Sequence, residues 1–327
     1  MKTRYLNVAL IFLFCCSLCS GGQENAIDES DTNESQKKPI GYRAIKEKPD
    51  EQFSYVPVYD DGSEGPPRKI AQKKKSVFDP QLYFIATGLK RETLFIGPEI
   101  YRFEYEESGM QDTGTFYGIT VGYTLRNWIP DTDTKNLSDN KKMFGVELRF
   151  AGGEVDYDGQ LMSGEPYRVS NIPDKTFEAR FLIGPDLLRK NHLSTFYTGI
   201  AYRYLHDDSS SDPAGYERES NYLYLPVGYQ FHQITDARWS FAATIEGDLL
   251  LYGVQRTDLG ALDANNEQHT GLGFRTSLKF QNRSEDHIFS IEPFFRYWDI
   301  DDSETEKYLR EPANETIEFG MQFKWLF

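Results

Sequence analysis

The final twelve residues, Thr316 to Phe327, keep a period of two: Ile317, Phe319, Met321, Phe323, Trp325 and Phe327 share one face, and Glu318, Gly320, Gln322, Lys324 and Leu326 the other. Successive side chains of an extended backbone point to opposite sides, so this segment is a strand with one apolar surface. Its length suits a hydrocarbon layer, which a tilted strand crosses in roughly 9–11 residues.

Nine further segments repeat the pattern: Glu92 to Tyr105, Thr115 to Leu125, Met143 to Tyr157, Thr176 to Leu187, Ser194 to Leu205, Asn221 to His232, Trp239 to Val254, Thr270 to Gln281 and His287 to Asp299. With the last they make about ten, an even count that lets a single chain close on itself. The expected fold class is therefore all-β, a closed antiparallel transmembrane β-barrel. With 21 Tyr, 23 Phe and 4 Trp the chain is rich in side chains that sit well at a membrane interface, yet its mean hydropathy is -0.59. A barrel reconciles the two, because only alternate strand residues meet lipid. No run of about 18 apolar residues exists, which excludes a helical span.

Connection lengths alternate as such a barrel requires. Leu188–Leu193, Gln233–Arg238 and Asn282–Asp286 are short, whereas Asp158–Lys175, His206–Ser220, Gln255–His269 and Ile300–Asn314 are long and polar, as loops facing the outside would be. Arg126–Lys142 departs, being long where a short turn is expected. In the first strand Phe103 and Tyr105 switch parity relative to Leu94, Ile96 and Ile100, which predicts a bulge near Ile100–Tyr101. Pro98, Pro185, Pro226 and Pro293 fall inside strands, all assigned to the lipid-facing parity.

Alternation alone does not say which face meets lipid; the polar face decides it. That face collects Glu147, Arg149, Glu178, Arg180, Asp186, Arg203, Glu246, Asp248, Arg275, Lys279, Glu292, Arg296, Glu318 and Lys324, interleaved with glycines such as Gly118, Gly122, Gly145, Gly184 and Gly199. Bulky charges beside glycines suit an enclosed polar lumen, where opposite charges neutralise one another and glycine leaves them room. About ten strands give a bore that side chains can largely fill, so a plugging salt-bridge network is expected rather than a wide pore.

The carboxyl-terminal strand, with Phe323, Trp325 and Phe327 at alternate positions, resembles the terminal signal of Gram-negative outer-membrane β-barrels. That resemblance implies residence in the cell outer membrane, contact with its lipid and lipopolysaccharide, and recognition by the barrel assembly machinery. The amino terminus agrees. Lys2 and Arg4, the apolar run Val8–Phe14 and small residues from Ser17 to Gly22 make residues 1–22 a cleavable signal peptide. Cys15, Cys16 and Cys19 leave with it or sit at its edge. Leu18 before Cys19 and Cys16 at the third position back depart from the usual lipobox. Residues 23–78 lack periodicity and are read as a disordered periplasmic leader, with 79–327 the barrel. Arg68, Lys69, Lys73, Lys74 and Lys75 lie just ahead of the first strand and suit either anionic headgroups or precursor solubility.

Ten strands, long outer loops and rim acids also describe the omptin family of outer-membrane proteases, which use an Asp pair and an Asp-His pair to activate water. Here the counterparts are Asp156 and Asp158, with His206, Asp207 and Asp208. Omptins place Asp before His with one residue between, and this chain does not. No catalytic, cofactor or metal site is expected: the histidines 192, 206, 232, 269 and 287 lack ligand spacing, and no Gly-x-Ser-x-Gly or phosphate-cradling loop occurs. A net charge of -15 excludes the basic face of a nucleic-acid binder.

Overall fold

The computed structural model describes residues 41–45, 54–58, 68–69, 90–129, 141–161, 163–189, 192–212, 215–233, 238–258, 263–283, 287–305 and 310–327. The region before residue 78 and the barrel are separate units. Within the first, the strands β1 (Gly41–Ile45), β2 (Ser54–Val58) and β3 (Arg68–Lys69) pair antiparallel. Both β1 and β2 carry Tyr beside Ile or Val, residue types that favour extended backbone. The signal-peptide residues 1–22 and Lys73–Lys75 lie outside the described residues.

Ten antiparallel strands form the barrel wall: β4 (Glu92–Glu107), β5 (Met110–Arg126), β6 (Lys142–Gln160), β7 (Pro166–Leu188), β8 (His192–Asp208), β9 (Glu217–Gln233), β10 (Trp239–Asp258), β12 (Gly271–Arg283), β13 (Ile288–Ile300) and β14 (Asn314–Leu326). Each pairs with its sequence neighbour, and the wall closes where β14 meets β4, from Asn314 opposite Glu107 to Leu326 opposite Phe95. The short strand β11 (Ala264–Gln268) extends the β10 edge beyond the wall.

Burial separates two zones along the axis. In the zone that holds Leu94 and Trp325, apolar side chains point outward, among them Ile96, Ile119, Leu148, Phe181, Ile200, Val227, Leu249, Leu278 and Met321. On β5 this belt runs from Tyr117, 64% exposed, to Tyr123, 37% exposed, roughly 20 Å along the strand. Beyond it, toward the long connections, the parity of the apolar residues inverts. Tyr101, Phe103, Tyr105, Phe116, Val155, Ile172 and Phe294 turn inward as one cluster, and Tyr222, Tyr224, Trp298 and Ile300 form a second.

This inversion corrects the first strand. The β4–β5 register is continuous from Glu92–Leu125 to Glu107–Met110, with no bulge at Ile100–Tyr101. Leu94, Ile96 and Ile100 face outward within the belt, while Tyr101, Phe103 and Tyr105 face inward above it. The bulges lie at Val155/Tyr157 in β6 and Leu250/Tyr252 in β10. The strands also run farther than their apolar periodicity: the span Asp158–Lys175 is largely strand, with a connection of only 161–165, and His206–Ser220 reduces to 209–216. Above the belt polar residues suit both faces, so the sequence loses its alternation while the ladder continues.

The in-strand prolines acquire a physical account. The ladder skips the residues around Pro98 only toward β14, around Pro185 only toward β8, around Pro226 only toward β8 and around Pro293 only toward β12. On the other flank of each proline pairing is unbroken. A missing N–H removes bonding toward one neighbour, which is the observed pattern. Pro226, however, shares the inward parity of Tyr222 and Tyr224, unlike the other three. At the Pro98 gap, a Cβ on Gly97 would collide with the Phe323 carbonyl oxygen. Gly97→Ala is therefore expected to part β4 from β14 at the seam and to cut the yield of folded barrel severalfold, read as the heat-modifiable band on gels.

Candidate lumen network and upper mouth

The seam that closes the barrel also sets which polar residues meet across its interior. Arg275 of β12 reaches over to β7, donating to Glu178 Oε2 at 2.9 Å, and to Asp248 Oδ2 of β10 at 2.7 Å. Arg180 of β7 donates to Glu147 at 2.7 Å and forks onto Glu246 of β10. Arg149 of β6 bridges Glu99 of β4 and, at 2.7 Å, Glu318 of β14. Arg296 also holds Glu318, at 3.0 Å, and Arg203 stands 3.6 Å from it with its guanidinium over the Trp298 ring. Strands β8 and β14 are diametrically opposite in the ring of ten, so the Arg203–Glu318 approach spans the full bore. Tyr197 and Tyr224 donate to Glu246 Oε2 and Glu178 Oε1, oxygens that also accept from Arg180 and Arg275.

Below this layer a cavity of about 190 Å³ opens between Lys90, Thr93, Arg126, Lys279, Gln281 and Leu326. Lys324 donates to Glu292 at 2.7 Å there, and Ser277 donates to the other oxygen. The connection after β5, anomalous in length, begins by folding inward. Trp128 is 1% exposed, packs with Ile129 and Leu193, and donates its indole N–H to Asp186 at 2.7 Å. Asp186 also accepts from Thr195 and lies 3.3 Å from Arg126. Sequence reasoning placed Asp186 on the polar face but missed Trp128, Glu99 and Tyr224; Glu99 shares the parity of Gly97, the one signal that could have found it.

Above the aromatic clusters, inward-facing acids gather at the upper mouth. Asp174 and Asp207 are directly opposed across β7 and β8. Arg218 of β9 donates to Glu107 at 2.6 Å and Asp207 at 3.2 Å, and lies 3.9 Å from Asp112. The aromatic ring of Tyr105 lies beneath its guanidinium. Asp112 sits five residues beyond the last belt residue of β5, and Asp174 and Asp207 seven beyond Phe181 and Ile200, so this group stands clear of the belt. Burial, reinforced by Asp207 and Glu107 and only partly offset by Arg218, pushes the Asp112 carboxyl up to about 7. Burial and the neighbouring Asp207 and Asp112 push Asp174 up to about 9. The described residues after β13 pack on β10 and β11: Gln268 donates to the Asp301 carbonyl, Asn266 to the Glu304 carbonyl and Thr257 to Glu311 at 2.7 Å, and the Ser303 N–H donates to the Glu311 carbonyl.

The protease-like candidates are not brought together. Asp156 and Asp158 are exposed on the outer wall of β6, and Asp158 pairs with Arg168 at 2.8 Å. His206 and Asp208 also point outward, while Asp207 points in. On the shared strand β7, Asp158 is level with Arg168 and His206 with Lys175, seven residues apart and hence roughly 20 Å along the strand. His206 instead meets Glu217 at 2.8 Å and lies across from Glu219, an encounter set by β8–β9 register that linear spacing cannot show. Phe323, Trp325 and Phe327 lie on the outer wall at the belt's lower rim, with Trp325 5.8 Å from the Phe289 ring.

No family model and no curated protein matches the chain. Among solved structures it is similar to the outer membrane protease OmpT from Escherichia coli, at 8% identity and a TM-score of 0.43, covering 72% of this chain and 96% of that one. The translocator domain of the autotransporter NalP from Neisseria meningitidis matches at 10% identity and 0.38, covering 74% and 92%. Neisserial surface protein A matches at 10% identity and 0.29, covering 71% and 95%.

Proposed function

We propose that this chain is an integral barrel of the cell outer membrane, non-catalytic, with a narrow charge-filled lumen, acting in structure or recognition or in the passage of small solutes, and not as a wide pore. The apolar belt supports the location. It encircles the wall, and an exposed apolar surface of that extent is costly in water and matched by acyl chains. A cleaved signal peptide at 1–22, delivery by the assembly machinery through Phe323, Trp325 and Phe327, and contact with lipopolysaccharide above the belt belong to the same reading.

The observation that carries it is the layer of arginine–carboxylate pairs joining opposite walls, with packed aromatic residues directly above. An ion or solute would have to break paired, desolvated charges to pass. Purified protein in planar bilayers is expected to show at most brief, small conductance steps. Sustained porin-like steps from the unmodified chain would overturn the closed-lumen reading. The separation of Asp156 and Asp158 from His206 supports the non-catalytic part, which predicts equal, background peptide cleavage by the wild type and Asp156→Asn in lipopolysaccharide micelles.

A further inference from the structure

The outer wall just above the belt carries a group of side chains that neither the lumen network nor the mouth uses. One nitrogen of His206 and one carboxylate oxygen each of Glu217 and Glu219 lie within 4.8 Å of one another. His206 Nε2 is 2.8 Å from Glu217 Oε1, and the β8–β9 register sets His206 directly against Glu219. Two features hold these ligands in place. Tyr204 donates its hydroxyl to Glu219 Oε1 at 2.8 Å, and its ring stacks on the imidazole with centroids 6.2 Å apart. The imidazole Nδ1 is buried without a hydrogen-bond partner, so the ring is held by packing and by its Nε2 contact alone.

We infer that His206, Glu217 and Glu219 form a binding site for a divalent transition ion of the zinc type on the outer wall of the barrel. One imidazole nitrogen and two carboxylates on two adjacent strands match the nitrogen–oxygen ligand sets that zinc accepts, with ligand bonds of about 2.0–2.2 Å. The ion replaces the His206–Glu217 hydrogen bond, since a neutral imidazole presents a lone pair where its proton had been. Lys175 lies opposite His206 and Arg256 opposite Glu219, so the two glutamates face two flanking cations; Asp208 and Asp258, level with Glu217, add negative charge. That balance favours an ion of high charge density and moderate affinity. Bound there, the ion staples the end of β8 to the start of β9 and so clamps the 209–216 connection. Its remaining coordination positions face away from the wall.

The test is zinc binding to the full chain in detergent micelles, with Cys15, Cys16 and Cys19 replaced by serine so that no thiolate competes. One equivalent of Zn²⁺ should bind with micromolar or tighter affinity. X-ray absorption should show a nitrogen–oxygen shell containing one imidazole. His206→Ala and Glu217→Gln should each weaken binding at least tenfold while leaving heat-modifiable mobility unchanged, and Glu219→Gln should do the same without disturbing the Tyr204 contact. His269→Ala, which alters the other histidine–glutamate pair on the outer surface, should leave the equivalent in place. No zinc bound at these concentrations, or an equivalent that persists in His206→Ala, would overturn the site. A variant that loses its folded band is replaced by Glu219→Gln, whose carboxamide keeps size and hydrogen bonding, so the outcome still decides.

Discussion

Replacing Arg275 by alanine should lower the unfolding free energy of the barrel by about 3–5 kcal/mol, the usual loss when one partner of a buried ion pair is removed. The size follows from what is left behind. Arg275 alone joins Glu178 to Asp248, and it lies 3.3 Å from Glu246. Without it three buried carboxylates share Arg180, which is already committed to Glu147 and Glu246. Water entry or protonation would relieve some of the charge, but either one loosens the layer that closes the lumen. Arg275→Lys should fall between wild type and alanine, because an ammonium keeps the charge yet cannot fork onto Glu178 while holding Asp248. Urea unfolding followed by tryptophan fluorescence checks this, with Trp298 packed edge-on to Tyr224 as a reporter beside the layer. Conductance gives a second reading, since Arg275→Ala should produce larger and longer-lived steps than the wild type. A variant as stable as wild type and no more conductive would show that the pairs do not hold this layer.

Much of this architecture was legible because the outward apolar belt imposes a period of two along every strand of the wall. Ile317 to Phe327 and the charged face of Glu147, Arg180 and Arg275 needed only parity to be placed. The legible part ends where the belt ends. Tyr101, Phe103 and Tyr105 suggest a bulge only if every apolar residue faces outward, and above the belt the apolar face changes sides, with a small aromatic core inside the wall. The same exchange hid the upper halves of β6 and β7, whose polar residues read as loop. Cross-wall partners were beyond reach for another reason. Arg203 and Glu318 are 115 positions apart and meet only because closure of the ring sets their strands opposite each other. His206 and Glu219 required the register of a hairpin whose turn length the sequence leaves open. The prolines were visible and their parity mostly so, but their effect on one flank of the ladder depends on which neighbour each missing N–H would have faced.

Above the belt, the carboxyl cluster at the mouth should make that end of the barrel lose stability as pH rises, the opposite of a conventional acid transition. Asp112 and Asp174 have native pKa values of about 7 and about 9, and burial raises Asp207 as well, whereas an unfolded aspartate titrates near 3.9. Between pH ~4 and those native values the folded state holds protons that the unfolded chain has released. The number bound is then larger in the native state, and the slope of unfolding free energy against pH is negative. The stabilisation is fully present below about pH 4 and disappears as pH climbs through 7 toward 9. Arg218 is the cation that Glu107, Asp112 and Asp207 share. A single guanidinium cannot neutralise Glu107 and three ionised aspartates, so at high pH Asp174 and Asp207, facing each other across β7 and β8, repel. Amide exchange, corrected for its intrinsic pH dependence, should show protection at the upper ends of β8 and β9 falling at least tenfold between pH 6 and pH 9, while the belt segments of the same strands hold. Asp174→Asn keeps the side-chain shape and removes the strongest repulsion, so it should flatten that fall and protect the mouth at pH 8. Equal pH dependence in Asp174→Asn and wild type would mean that Asp174 is not the proton-holding group and that Arg218 already satisfies the cluster.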